Sequence, residues 1–243
     1  MTLAAIDIGT NSVKLLVARV SGRRITPLFY RTKMVRLGEG LEKSGAISKA
    51  AADRTVRALR GLRRRAERRG ASRIAAAGTL VLRRAKNARG FLRRCRDEAG
   101  VDVRILTGKE EARLSFQGAA GTGKKVAIEI GGGSAQIMVG AAGRLRKSWS
   151  LPLGAVTLTE KYLKSDPPSS RELKDLSSAV RNSLRKVTAR GRMILGVGGT
   201  VSTIFRLFGA PGKTIPFMTI PAHAIRFSLM TTAERRRMGV ERG

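Results

Sequence analysis

Two stretches of the chain combine a carboxylate, a glycine turn and a hydroxyl at the same spacing. Ala5-Ile6-Asp7-Ile8-Gly9-Thr10-Asn11-Ser12 and Ala127-Ile128-Glu129-Ile130-Gly131-Gly132-Gly133-Ser134 each read as an apolar strand, a carboxylate, a turn, a hydroxyl and the start of a second apolar strand. Glycine lets backbone N–H groups approach phosphate oxygens closely, and successive N–H groups in a turn form an anion-binding concavity. The predicted phosphate-binding set is therefore Gly9, Thr10, Asn11 and Ser12 in the first stretch and Gly131, Gly132, Gly133 and Ser134 in the second. Asp7 and Glu129, at the strand ends, can hold Mg²⁺ directly or through water. A third turn, Gly196-Val197-Gly198-Gly199-Thr200, offers the amides of Gly198, Gly199 and Thr200 at a helix N-terminus, although such a sequence also serves as a plain tight turn. One such hairpin would be unremarkable. A matched pair, each opening a half with the same strand order, points to an internal duplication and to two facing hairpins that clamp a phosphate chain.

These residues need elements to hold them. Leu3 to Ile8 and Val13 to Val20 read as paired strands around a Thr10-Asn11 turn, with Ile25 to Tyr30 a third strand. The stretch from Arg36 to Gly45 is glycine-rich and reads as irregular. Ser48 reads as the N-cap of a helix to about Arg69 with Val56, Leu59, Leu62 and Ala66 as its apolar stripe. Ile74 to Ala77 is a short strand before Gly78-Thr79. Asn87 is placed as the cap of a helix that turns Phe91, Leu92 and Cys95 inward, Val101 to Leu106 as a strand, and Glu110 to Gln117 as a helical turn. Gly118 to Lys125 is small and polar, which puts the boundary between a domain at 1–120 and a domain at 123–243. In the second half Val126 to Ile130, Ala135 to Val139 and Leu145 to Leu151 repeat the strand order. Ser169-Ser170-Arg171-Glu172 resembles a capping box before a helix presenting Leu173, Leu176, Val180 and Leu184. Met193 to Val197 is the last strand expected.

The net charge is +32, a field that draws polyanions such as polyphosphate, nucleic acid or anionic lipid. Aromatic residues are only 4%, which argues against a base-stacking platform and leaves nucleic acid to non-specific attraction. No apolar run approaches the ~20 residues of a membrane helix, and Asp7 interrupts the first apolar run, so neither membrane nor signal peptide is expected. A single cysteine, Cys95, fits a reducing cytoplasm and reads as core. His223 has no neighbour at ligand spacing and reads as structural or exposed.

The motifs resemble those of the exopolyphosphatase / guanosine-pentaphosphate phosphatase (Ppx/GppA) family. Besides the two hairpins, the similar stretches are Val35-Arg-Leu-Gly-Glu-Gly-Leu41, Gly78-Thr-Leu-Val-Leu-Arg-Arg-Ala-Lys-Asn87, Gly108-Lys-Glu-Glu-Ala-Arg-Leu114, Ser150-Leu-Pro-Leu-Gly-Ala-Val156, Ser165-Asp-Pro-Pro-Ser169 and Gly196-Val-Gly-Gly-Thr200, in the family's order. The resemblance implies an α/β fold of two RNase H-like (actin-like ATPase) domains of related topology with a cleft between them. It implies Glu111 as the catalytic base and Thr79 and Arg83 as phosphate ligands. It implies Mg²⁺ as cofactor, and polyphosphate or guanosine pentaphosphate as substrate. A homodimer is compatible with it. On the residues alone, the favoured reading of Glu111 is a solvated helix glutamate paired with Arg113 or Lys109. Three departures stand out: Glu129 in place of the family's aspartate, Ala135-Gln136 in place of Thr-Glu, and an end at Gly243 where the family continues, which implies a missing C-terminal part. The reading is an exopolyphosphatase, with a guanosine pentaphosphate phosphohydrolase or a weakly active polyphosphate-binding protein as alternatives.

Overall fold

The structure is a computed structural model that describes residues 1–22, 24–119, 124–189 and 194–208. Residues 120–123 of the expected linker, Met193, His223 and the end of the chain lie outside the described residues. The chain divides into two units, Met1–Glu111 and Ala112–Gly243.

The first unit is built on an antiparallel meander, β1 (Thr2–Ile8), β2 (Ser12–Ser21) and β3 (Arg24–Met34), extended by β4 (Arg73–Gly78) and β5 (Val103–Ile105), each parallel to the strand before it in the sheet. The order is β3-β2-β1-β4-β5. Parallel pairing needs long crossovers. These are supplied by α1 (Leu41–Ser44) and α2 (Lys49–Glu67) before β4, then by α3 (Leu80–Arg84) and α4 (Ala88–Ala99) before β5. Period-two burial puts Ala4, Ile6 and Ile8 of β1 and Val13, Leu15 and Val17 of β2 in the core with Val56, Leu59, Leu62 and Ala66 of α2. Each fully buried large aliphatic side chain contributes about 1.5–3 kcal/mol. Ser48 caps α2 as the sequence indicates, accepting from the N–H of Ala51.

The division between the units falls within α5 (Gly108–Ala119). The second unit then repeats the meander with β6 (Lys124–Ile130), β7 (Ala135–Ala141) and β8 (Arg144–Leu151). It continues through α6 (Ala155–Tyr162) and α7 (Ser170–Leu184) to β9 (Ile194–Val197) and α8 (Gly199–Phe208). Its order, β8-β7-β6-β9, is that of the first sheet without the fifth strand. The correspondence extends to single residues at one constant offset. Asp7 pairs with Lys14 and Glu129 with Gln136; Ile8 pairs with Val13 and Ile130 with Ala135. A bulge between Val17 and Ala18 recurs between Val139 and Gly140. Bulges are local features that pairing alone does not dictate, so a bulge at the same place in both halves marks a duplicated structure.

Several elements differ from the sequence reading. β3 runs to Met34, because its pairing with β2 continues as far as Ser12. The strand expected at Val101 to Leu106 forms ladder pairs only from Val103 to Ile105. α1 arises in the stretch read as irregular, between left-handed glycines at Gly40 and Gly45. α3 and α6 were not foreseen. Asn87 stands at the N-cap of α4 but caps nothing; its amide instead accepts from the N–H and donates to the carbonyl of Ile47. The capping box of α7 is present, yet Leu184 is 40% exposed rather than inward. Among the described residues no helix is long and apolar enough to cross a membrane.

Candidate functional site

In the first hairpin the N–H of Gly9 donates to the carbonyl of Ser12 at 3.0 Å, closing the turn. The carbonyls of its two central residues are taken. Thr10 O accepts from Gly38 N at 2.8 Å, and Asn11 O accepts from Val35 N and Arg36 N at 2.9 Å each. The approach at Gly38 is close: a Cβ there would lie 2.3 Å from Thr10 Cγ2, so a side chain would force the Thr10 methyl to move. The N–H groups of Thr10 and Asn11 meet no acceptor among the described residues.

The second hairpin is built the same way. Gly131 N donates to Ser134 O at 2.9 Å. Gly131 O accepts from Ala155 N at 2.9 Å, Gly132 O from Val156 N at 2.8 Å, and Gly133 O from the Thr157 hydroxyl at 3.3 Å. The first turn of α6, whose N–H groups have no partner within the helix, thus docks on the back of the hairpin. The N–H groups of Gly132 and Gly133 meet no described acceptor. Open amides beside satisfied carbonyls give each turn the donors that an anion site needs.

The two carboxylates sit at equivalent ladder positions but in different surroundings. Asp7 Oδ2 is 3.4 Å from Lys14 Nζ, so the first hairpin carries its own cation. At the position of Lys14 the second hairpin has Gln136, buried at 2% exposure. Glu129 Oε2 and Gln136 Oε1 are both buried with no hydrogen-bond partner among the described residues. An unsatisfied buried oxygen costs about 1–3 kcal/mol, more when charged. Two such acceptors side by side suit a hard cation, which takes oxygen ligands. The donor set fits Mg²⁺ in particular, an ion held by one or two carboxylates with waters and substrate phosphates completing its shell. That economy matters here, because no cluster of three or more His, Cys, Asp or Glu occurs among the described residues. Gly198, at φ 92°, leaves room for this carboxylate: a Cβ there would come within 3.3 Å of Glu129 Cγ. Gly199 and Thr200 follow in the first turn of α8.

A second group forms within the first unit. Thr79 stands at the N-cap of α3, and both its N–H and its hydroxyl donate to Ile8 O, at 3.2 and 3.4 Å. One turn on, Arg83 Nη1 donates to Leu106 O at 2.6 Å and to Glu111 Oε2 at 2.9 Å. Both charged side chains are largely buried, at 22% and 16% exposure. Glu111 is therefore not the solvated partner of Arg113, whose Nη1 donates to Gln117. Its neighbour Glu110 has a different task. The Glu110 carboxylate accepts from the N–H and hydroxyl of Thr107, the Thr107 hydroxyl accepts from Glu110 N, and Arg104 also reaches it. This is a capping box at the start of α5.

Each unit thus assembles its own share of the predicted residues. The first gathers Asp7, the Gly9–Ser12 turn, Thr79, Arg83 and Glu111; the second gathers Glu129, the Gly131–Ser134 turn and the Gly198–Thr200 turn. The sequence reading missed Lys14, Gly38 and Gly154. Lys14 was findable, as the residue of β2 that faces Asp7 by strand alternation. Gly154 was findable less directly: a Cβ on it would lie 2.3 Å from Gly132 O, a contact only the packing of α6 on the hairpin reveals. Cys95 is buried, and burial pushes its thiol up to about 12, consistent with a core residue.

A duplicated α/β fold that presents a carboxylate and an open-amide turn in each half defines a phosphoryl-handling protein. A profile of the Ppx/GppA phosphatase family matches residues 16–231, and the chain belongs to that family. It is accordingly a hydrolase acting on phosphoric anhydrides, in a family that is generally metal-dependent. Solved structures agree. An Aquifex aeolicus Ppx/GppA family member is 27% identical with a TM-score of 0.78, covering 99% of this chain and 83% of its own. An exopolyphosphatase-like protein is 27% identical with a TM-score of 0.88, covering 97% and 80%. An exopolyphosphatase from Cytophaga hutchinsonii, at 23% identity, shares the fold with a TM-score of 0.87 over 99% and 84%.

Proposed function

We propose that this chain is an exopolyphosphatase that removes terminal orthophosphate from inorganic polyphosphate. The observation that carries the reading is the pair of hairpins with equivalent register, each with its central carbonyls satisfied and its central amides open. The amides of Thr10, Asn11, Gly132 and Gly133 bind phosphate oxygens, with Ser12, Ser134 and the start of α8 adding donors. Arg83 has five donors in a fixed fork, so it can hold Glu111 and Leu106 and still bind the terminal phosphate. Glu111 orients a water and accepts its proton as the water oxygen attacks the terminal phosphorus. The phosphoanhydride bond breaks in line, leaving orthophosphate and a chain one unit shorter. Such transfer depends on positioning and charge neutralisation rather than covalent catalysis. Glu129 and Gln136 would hold Mg²⁺, which would neutralise phosphate charge. Lys14 does the same beside Asp7 as a fixed ammonium.

The test is orthophosphate release from polyphosphate and from guanosine pentaphosphate, side by side with Mg²⁺. A higher kcat/KM on polyphosphate is the expected result. Preference for guanosine pentaphosphate overturns the substrate assignment, and release from neither leaves a binding protein. We place the reaction in a reducing cytoplasm.

A further inference from the structure

The outward face of α2 carries charge that the site does not use. Arg57, Arg64 and Arg68 lie within about 40° of one another around the helix, and Arg60 flanks them. All four, counting Arg68 at the C-cap, are exposed, and none has a carboxylate within ion-pair distance among the described residues, although Arg60 Nε donates to Glu98 O at 2.9 Å. The stripe is about 16 Å long at 1.5 Å per residue. Neighbouring arginines on the flanks of α2 and on α4 are paired: Arg63 with Glu67, Arg54 with Glu39, Arg94 with Asp53 and Glu98. Like charges three and four positions apart destabilise a helix by about 0.2–0.5 kcal/mol per pair. An unmixed stripe is therefore a local cost that the neighbouring pairs avoid.

The stripe also has a direction. Arg54, one turn before Arg57, donates to Val35 O at 3.1 Å, and Val35 N donates to Asn11 O in the first phosphate turn. The stripe starts beside the loop that backs the hairpin and leads away from it. Its residues are arginines, whose planar fork matches phosphate oxygens bidentately. No aromatic residue occurs in α2, so nothing there stacks on a base.

We propose that Arg57, Arg60, Arg64 and Arg68 form a docking track for the distal part of a long polyphosphate chain whose end is at the hydrolytic site. The inference rests on the substrate reading above. The track raises affinity for long chains through added contacts along one molecule and leaves substrates too short to reach it unaffected.

The experiment compares wild type with Arg57→Gln/Arg60→Gln/Arg64→Gln/Arg68→Gln and with a control of equal charge loss, Arg19→Gln/Arg31→Gln/Arg144→Gln/Arg146→Gln. Equilibrium binding of long-chain polyphosphate and of duplex DNA is measured for all three, with KM and kcat on long-chain polyphosphate and on tripolyphosphate. Thermal melting checks the fold. The expected result is long-chain affinity weakened at least ~10-fold, equivalent to about 1.4 kcal/mol, in the track variant alone, with KM raised to match and tripolyphosphate turnover unchanged. Equal losses in the control overturn the track in favour of the general basic field. Loss of DNA binding with polyphosphate binding retained reassigns the surface to nucleic acid and also overturns it. The binding arm decides even if no protein hydrolyses polyphosphate, in which case the catalytic reading fails while the track stands or falls on its own.

Discussion

Arg83 Nη1 lies 2.9 Å from Glu111 Oε2 and 2.6 Å from Leu106 O, so one guanidinium ties the end of α3 both to the residue after β5 and to the first turn of α5. A charge-assisted hydrogen bond of this length fixes the carboxylate's orientation as well as its position. The pair also separates two adjacent glutamates that look alike in the sequence. Glu111 faces Arg83, whereas Glu110 is committed to Thr107 and Arg104 as a helix cap.

Glu111→Gln should therefore abolish most phosphate release, by roughly 10²–10⁴-fold, the usual worth of a positioned proton acceptor. Glutamine keeps the size and can still accept from Arg83, so polyphosphate binding should persist. Glu110→Gln should stay near wild type, because a capping box accepts glutamine in place of glutamate. Rates are compared at saturating Mg²⁺. Equal rates for Glu111→Gln and wild type would sink the base assignment.

Gly154→Ala should damage phosphate binding without replacing a phosphate-binding residue. The added Cβ would meet Gly132 O, Gly133 C and Ser134 N, each at 2.3 Å. These are backbone atoms, so the turn or α6 must move; overpacking of this kind typically costs 1–3 kcal/mol. Polyphosphate affinity should fall at least ~10-fold. Gly143→Ala is a useful contrast: no atom lies within 4 Å of its Cβ, though φ of 71° makes alanine strained there. Unchanged affinity in Gly154→Ala would mean the second turn does not bind the substrate.

The duplication was legible because it is written in residue types at fixed spacing. Asp7 and Glu129 precede glycines, and alternation of apolar residues sets which face each strand buries. The relations that complete the site were less so. Arg83 and Glu111 are each one charged residue in a chain that is 27% charged, and only the fold of β4, α3, β5 and α5 brings them together. α3 and α6 were missed because a helix of five or eight residues offers too few turns for periodicity to show. Asn87 was placed correctly as a helix start, yet its partner at Ile47 is remote in sequence, so no local rule could have found it.

Low pH should weaken the second unit through Glu172. Its carboxylate accepts from the Ser165 hydroxyl, from Ser169 N at 2.8 Å and from Ser165 N at 3.1 Å. The Ser165 hydroxyl contributes most to holding the carboxyl down at about 2, against an ordinary 4.5. Because the folded value is depressed, the stabilisation is fully present above 4.5 and fades as pH falls towards 2. Urea midpoints of wild type and Glu172→Gln, compared from about pH 6 to about pH 3, should converge on acidification. A gap that stays constant across that range would show that the proton plays no part.

Gln136→Glu tests the metal site by a readout separate from catalysis. Position 136 is paired with Glu129 across the ladder and is buried, so the change sets a second carboxylate beside an existing one whose Oε2 already lacks a described partner. Like charges this close disfavour ionisation of both, and the metal-free variant should melt below wild type. Mg²⁺ removes that repulsion and binds two anionic ligands instead of one. A ligand at a hundred times its Kd stabilises by about 2.7 kcal/mol, so tighter binding appears as a larger shift at fixed concentration. Melting temperatures with chelator and with Mg²⁺ should therefore differ more in Gln136→Glu than in wild type. Phosphate release at limiting Mg²⁺ should hold or rise. If the two proteins respond to Mg²⁺ by the same amount, the oxygens of Glu129 and Gln136 do not share a cation, and the ion must be held elsewhere.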